Sequence, residues 1–289
     1  MIDLVFWLPV LIAGTLSGAS TGVLGVYIVG MRMPFLGVFV SHAALAGAVF
    51  GTLAGLSGQT LLLPALGAAV AAALTLGLMR PERLRIDNNV LLGVLFSLSM
   101  GIAFLGIGLF PVFGRSDNDV RNLLWGSLTF CRWSDVRLIA LTGACVLLFI
   151  ILFAKEMRAI LFCRVQAAAA GIHVTLVWTG FLLLTSLVLT VNFQTVGGLM
   201  IYSLMTCPAA AAFQLVRGHA PSLLAATLIG ASCGLSGFII SAATDLPTGA
   251  TTVLLASFCV IAAIAVNRLR RTRGRPQGPL SISGTSPSS

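Results

Sequence analysis

Charge is what this chain has least of. Only 9% of its 289 residues are Asp, Glu, Lys or Arg, against about 25% in an ordinary soluble domain, and its mean hydropathy is +1.04. So few charges cannot cover a water-facing surface, which leaves an integral membrane protein. Alternation of apolar and polar residues is also missing, which excludes a β-barrel. Backbone polar groups in lipid must be satisfied within the chain, so a helix bundle remains. Cys-x-x-Cys pairs are absent, and the six cysteines, at 131, 145, 163, 207, 233 and 259, lie mostly within apolar runs. That scatter argues against a disulfide framework and a structural zinc site, and it reads as small buried hydrophobes. No Asp, Glu or Lys falls at mid-membrane depth, so a proton-relay pump or an ion-coupled secondary transporter lacks its carboxylates. A membrane-embedded enzyme lacks its catalytic pair, and no GxxxxGK[ST] phosphate loop is present. Any work done on a solute must therefore draw its energy from a partner.

What the chain does have is apolar runs of about 18 residues or more, the length that crosses a bilayer as helix. Nine candidate spans follow: about 4–30, 36–55, 60–79, 89–111, 137–154, 177–191, 194–216, 221–242 and 248–267. The pair 177–191 and 194–216 is short and close-spaced, so the count is eight if one of them is a half-helix. The first run is too long for a signal-peptide core and reads as a retained helix. Residues 1–268 thus form one all-α, polytopic transmembrane domain of 8–9 spans, and 269–289 form a basic and then Gly/Pro/Ser-rich cytoplasmic tail.

The net charge of +9 could suggest nucleic acid, but in a membrane protein it reads first as topology. With the carboxyl terminus inside, the inner side holds Arg32, Arg80, Arg83, Arg85, Lys155, Arg158, Arg164, Arg217, Arg268, Arg270, Arg271, Arg273 and Arg275. The outer side holds only Arg115, Arg121, Arg132 and Arg137. This split predicts amino terminus out and carboxyl terminus in, with the tail arginines against anionic lipid. The amphipathic stretch 112–136 is expected at the outer interface, with Trp125 and Trp133 at headgroup level. Glycines recur every four residues at Gly14 and Gly18, at Gly47, Gly51 and Gly55, and at Gly230 and Gly234. That spacing puts them on one helix face, where they let backbones approach.

Polar groups within spans are few: His42 with Ser41, Asn192 and Gln194, and the Thr206–Cys207–Pro208 step. Ser41 and His42 are no catalytic dyad, because adjacent helix residues point about 100° apart. A neutral imidazole can ligate a metal or hydrogen-bond a neighbouring helix, and composition alone leaves both readings open. The block PAAAAFQLVRGH at 208–219 reads as a short helix started by Pro208, presenting Ala211, Phe213, Gln214, Leu215 and Arg217 at the cytoplasmic surface. An ordinary span end with a positive-inside arginine is the alternative. The loop CRVQAAAAGIH at 163–173 is a second candidate contact.

The string MRMPFLGVFVSHAALAGAVFG at 31–51 resembles the second-helix signature of the membrane permeases of zinc, manganese and iron ABC importers. NVLLGVLFSLSMGIAFLG (89–106), TVGGLMIYSLMTCPAAAAFQLVRG (195–218) and TDLPTGATTVLL (244–255) are similar to further motifs of that family, in the same order. The resemblance implies a bacterial inner-membrane permease that binds no cofactor itself and passes a divalent ion, Zn, Mn or Fe. It also implies a second copy of the chain, cytoplasmic ATPase subunits that consume ATP, and an external metal-binding protein. A permease for a metal chelate or another small solute, or a secondary transporter, is the alternative. His42 would then belong to the ion pathway, 208–217 to the ATPase contact, and Asp245, Pro247 and Gly249 to an external loop. The family's aspartate four residues before the histidine is Val38 here, and its acidic positions heading the fourth span and the 163–171 loop fall at Asn89 and Cys163. Without the carboxylate, His42 and its symmetry mate suit a borderline ion such as Zn²⁺ better than Mn²⁺.

Overall fold

In lipid a backbone has no water to bond, so each segment closes its own i→i−4 ladder and the chain turns only where it leaves the hydrocarbon. The computed structural model, which describes residues 4–79, 86–116, 118, 120 and 131–273, follows that rule: its described residues include long helices and no strand. We label them α1 (Leu4–Gly30), α2 (Phe35–Leu53), α3 (Leu62–Leu78), α4 (Asn88–Leu109), α5 (Trp133–Leu152), α6 (Ala154–Phe162), α7 (Arg164–Ala169), α8 (Val174–Val196), α9 (Gly198–Leu215), α10 (His219–Thr244) and α11 (Thr248–Arg273). A 3₁₀ turn, Gly58–Leu61, leads into α3. Eight of these helices are long and apolar enough to cross a membrane, and α9 supplies a shorter apolar stretch, Met200–Leu215. The uncertain pair thus resolves into a full helix, α8, and a shorter one, α9.

Helix ends are set by specific backbone chemistry. Asp87 caps α4 by accepting a 2.8 Å hydrogen bond from the Asn89 amide, satisfying one of the donors a helix start leaves open. Asp135 does the same for α5, accepting from the Arg132 amide at 2.9 Å. The corner between α8 and α9 turns at Gly197, whose φ of +92° lies where a side chain would clash. The tight link from α10 to α11 turns at Asp245, which adopts the left-handed conformation and is exposed, as is Pro247, while Gly249 is partly covered in the first turn of α11. Trp133 opens α5 and is 51% exposed, whereas Trp125 and the tail 274–289 lie outside the described residues. The helical run of α11 continues past the 268 boundary to Arg273.

Burial sorts the helices into layers. In α1, α2 and α8 most of the span is covered by other helices, while in α4, α5 and α11 about three quarters faces outward. The outward side chains are Val94, Leu98 and Leu105, then Leu147, Leu148 and Ile151, then Leu254, Phe258 and Ile261. Lipid tails are as apolar as leucine, so this exposure carries no penalty, and cohesion must come from close packing. The glycines supply it. A Cβ on Gly18 would collide with the Gly230 carbonyl, one on Gly230 with the Gly18 carbonyl, and one on Gly234 with the Gly14 carbonyl. The two four-residue glycine stripes are therefore the two halves of one α1–α10 seam. Gly47 and Gly51 play the same part against Pro64 of α3. Gly55 does not: it lies past the end of α2 with φ +95°, making a turn rather than a packing face.

Some of the buried hydroxyls are satisfied within their own helix. Thr21 and Thr190 each donate at 2.7 Å to the carbonyl four residues back, the usual arrangement inside a helix. Asn192, fully buried near the end of α8, donates to the Ser20 hydroxyl of α1 at 3.5 Å. That bond ties two central helices together. Gln194's side chain lies outside the described residues.

Candidate functional site

His42 lies in the third turn of α2, which the run FLGVFVSHAALAGAVFGTL makes helical and apolar on nearly every side. Its Nδ1 is 2.9 Å from the carbonyl of Val38, one turn back. A carbonyl only accepts, so Nδ1 carries the proton and Nε2 is left with its lone pair. Phe96 of α4 meets the ring edge-on, with centroids 4.8 Å apart, and fixes its plane. The Nδ1–H to carbonyl bond is the arrangement that commonly orients a metal-ligating histidine. The adjacent Ser41 is buried on a different side of the helix, with no hydrogen-bond partner for its hydroxyl.

His42 and Val38 form one wall of a cavity of about 480 Å³, whose other walls include Tyr202, Ser203, Thr206 and Cys207 of α9 and Ser257 of α11. The structure therefore brings together two features of the sequence that stand 165 positions apart, the histidine of α2 and Cys207 of the 206–208 step. Asn192 is not among the lining residues. None of α2, α9 and α11 carries an Asp or Glu, so the lining donors are one imidazole, one thiol and neutral hydroxyls. Among the described residues no three of His, Cys, Asp and Glu converge as a metal-binding group. Asn89 and Cys163 are helix-start residues of α4 and α7.

Pro208 does not begin a helix. It sits inside α9, which starts ten residues earlier at Gly198. A proline within a span is tolerated where neighbouring helices enclose it, and here Ala209, Ala211 and Ala212 are fully buried against the bundle. Beyond them Phe213, Gln214 and Arg217 are exposed and Leu215 is half-covered. Gln214 accepts a 2.7 Å hydrogen bond from Asn267 of α11, and the Leu215 carbonyl accepts one from Arg270 at 3.2 Å. Arg270 thus caps α9, where a cation is favoured by the helix dipole, rather than simply facing lipid.

The more open surface at that end is the α6–α7 pair. Met157, Ile160 and Ala167 are buried, while Phe162 is 85% and Val165 77% exposed. The Arg164 guanidinium lies 4.4 Å above the Trp178 ring of α8, which pins α7 to the bundle through a cation–π contact. Elsewhere, all six cysteines are free. Cys131 is chemically quiet: burial, and next the Asp135 carboxylate, push its thiol up to about 12, so it stays protonated at neutral pH.

The model of the ABC 3 transport family matches residues 3–267. The manganese transport system membrane protein MntC of Halalkalibacterium halodurans is 30% identical over 247 residues, covering 86% of this chain and 82% of the relative. The chelated iron transport system membrane protein YfeD of Yersinia pestis is 25% identical over 272 residues, covering 93% and 88%. Among solved structures, PsaBC from Streptococcus pneumoniae in complex with Fab superimposes with a TM-score of 0.78 at 22% identity, covering 93% of this chain and 95% of that one.

Proposed function

The chain belongs to the ABC 3 transport family, and from that premise we propose that it is the membrane-spanning permease of an ATP-driven importer of divalent transition metal ions. The observation that carries the reading is His42, its Nδ1 bonded to the Val38 carbonyl, on the wall of a cavity among span helices. Manganese and chelated iron appear in the names of its relatives, and a metal cargo matches an imidazole-bearing cavity better than an organic solute does.

ATP is hydrolysed by separate cytoplasmic subunits, since this chain has no phosphate loop. They dock on α6–α7, where Phe162 and Val165 offer an apolar contact on a segment fastened to the bundle by Arg164 and Trp178. A second copy of the chain completes the pathway, and an external binding protein delivers the ion to the side bearing Asp245, Pro247 and Gly249. The basic residues favour amino terminus out and carboxyl terminus in, in a bacterial inner membrane. Residues 1–268 serve as the permease domain, and 269–289 as its basic tail.

The test is ATP hydrolysis by the purified complex with its binding protein, across Zn²⁺, Mn²⁺ and Fe²⁺. At least one ion should stimulate turnover. Equal turnover with and without every ion would overturn the proposal.

A further inference from the structure

The cavity beside His42 has an unusual donor set for a divalent-ion path. Its one imidazole is joined by a thiol, Cys207, and no carboxylate lies on any of the four helices that line it. We propose that Cys207 is a specificity-determining ligand: its thiolate and the Nε2 of His42 in the same protomer pick up the ion together, selecting a borderline or soft ion such as Zn²⁺ over Mn²⁺. The proposal rests on the importer reading and names the class of its cargo.

Cys207 and His42 line one cavity although they come from α9 and α2. His42 is presented with Nδ1–H bonded to the Val38 carbonyl and Nε2 open. The Ser203 hydroxyl lies 3.5 Å from Cys207 Sγ, one turn back on α9, placed to donate to a thiolate and steady it, as outer-sphere groups around metal sites do. Val38, the residue one turn from His42, also faces the cavity, so the position from which an oxygen ligand would reach the ion holds an isopropyl group.

Ligand chemistry then decides the cargo. Thiolate and imidazole favour zinc, whereas manganese favours carboxylate, carbonyl and water. Binding displaces the thiol proton and moves no electron; the Zn²⁺ keeps its charge and oxidation state. Two protein ligands leave the remaining positions to hydroxyls or solvent, so the ion is held loosely enough to pass on.

Co²⁺, a spectroscopic stand-in for Zn²⁺, tests this in the full chain purified with its ATPase. Titration should produce a thiolate-to-cobalt charge-transfer band in the near ultraviolet. Cys207→Ser should abolish the band and weaken Co²⁺ binding by about tenfold or more, the least expected when even outer-sphere losses cost 10–100-fold. The double variant Cys233→Ser/Cys259→Ser is the internal control. Those two thiols lie 3.7 Å apart and pack in the same apolar cluster as Cys207, but they are not among the cavity-lining residues, and the band should survive their loss. No Co²⁺ binding, binding without a thiolate band, or a band that persists in Cys207→Ser would each overturn the proposal. Cys207→Ala, checked for monodisperse elution, guards against a folding effect peculiar to serine. A wild-type complex that shows the band yet transports no metal would instead sink the importer reading and leave the site standing.

Discussion

At the residue scale, selectivity turns on which atoms of α2 reach the cavity. Val38 and His42 stand one turn apart on the same wall, so a carboxylate introduced at position 38 would stand beside the imidazole. Val38→Asp should therefore raise manganese uptake relative to zinc by about tenfold, equivalent to about 1.4 kcal/mol of differential binding. Competitive uptake of the two ions in one preparation measures it, and an unchanged ratio would mean that position 38 does not face the ion. The histidine was legible in the sequence because an imidazole is conspicuous in an apolar helix, and so was the polar step at 206–208. Their meeting was not, since nothing local in either segment records which face of α9 turns towards α2.

At the element scale, seams and ends carry the predictions. Gly230 meets the Gly18 backbone directly, and Gly230→Val would force α1 and α10 apart. Overpacking of this kind costs about 1–3 kcal/mol, and thermal unfolding of the detergent-solubilised permease should show a clear fall in Tm. The glycine spacing announced such a seam, but not that α1 and α10 were the partners. The sequence around Pro208 misleads about where a helix begins. Proline is so common at helix starts that Pro208 suggested one, whereas α9 simply continues through it. The consequence is measurable. Ala211 is fully buried, so Ala211→Glu should lose folded protein, because an unpaired charge has no place in that packing. Phe162→Glu, on the exposed α6 surface, should leave the permease folded and release the ATPase on co-purification. The opposite pairing of outcomes would return the docking role to α9.

At the scale of the whole molecule, the bilayer imposed most of what the sequence revealed. Long apolar runs and scarce charge predicted the spans because lipid permits little else, and arginine placement supplied an orientation. Hydropathy does not mark where a helix stops, which is why α8 extends beyond 177–191 to Val174–Val196. The orientation has its own check. A single cysteine at Arg217, exposed between α9 and α10, should resist an impermeant reagent in sealed cells, while one at Leu246, between α10 and α11, should react. The reverse pattern would invert the topology.

The central claim is that this molecule carries a metal ion inward at the cost of ATP. Ion accumulation in sealed proteoliposomes holding the permease, its ATPase and its binding protein tests that most directly. Radiolabelled zinc should accumulate with the wild-type chain only when ATP is supplied, and accumulation should be lost in His42→Ala that elutes as folded complex in undiminished amount. Accumulation of no divalent metal, or undiminished accumulation through His42→Ala, would contradict it.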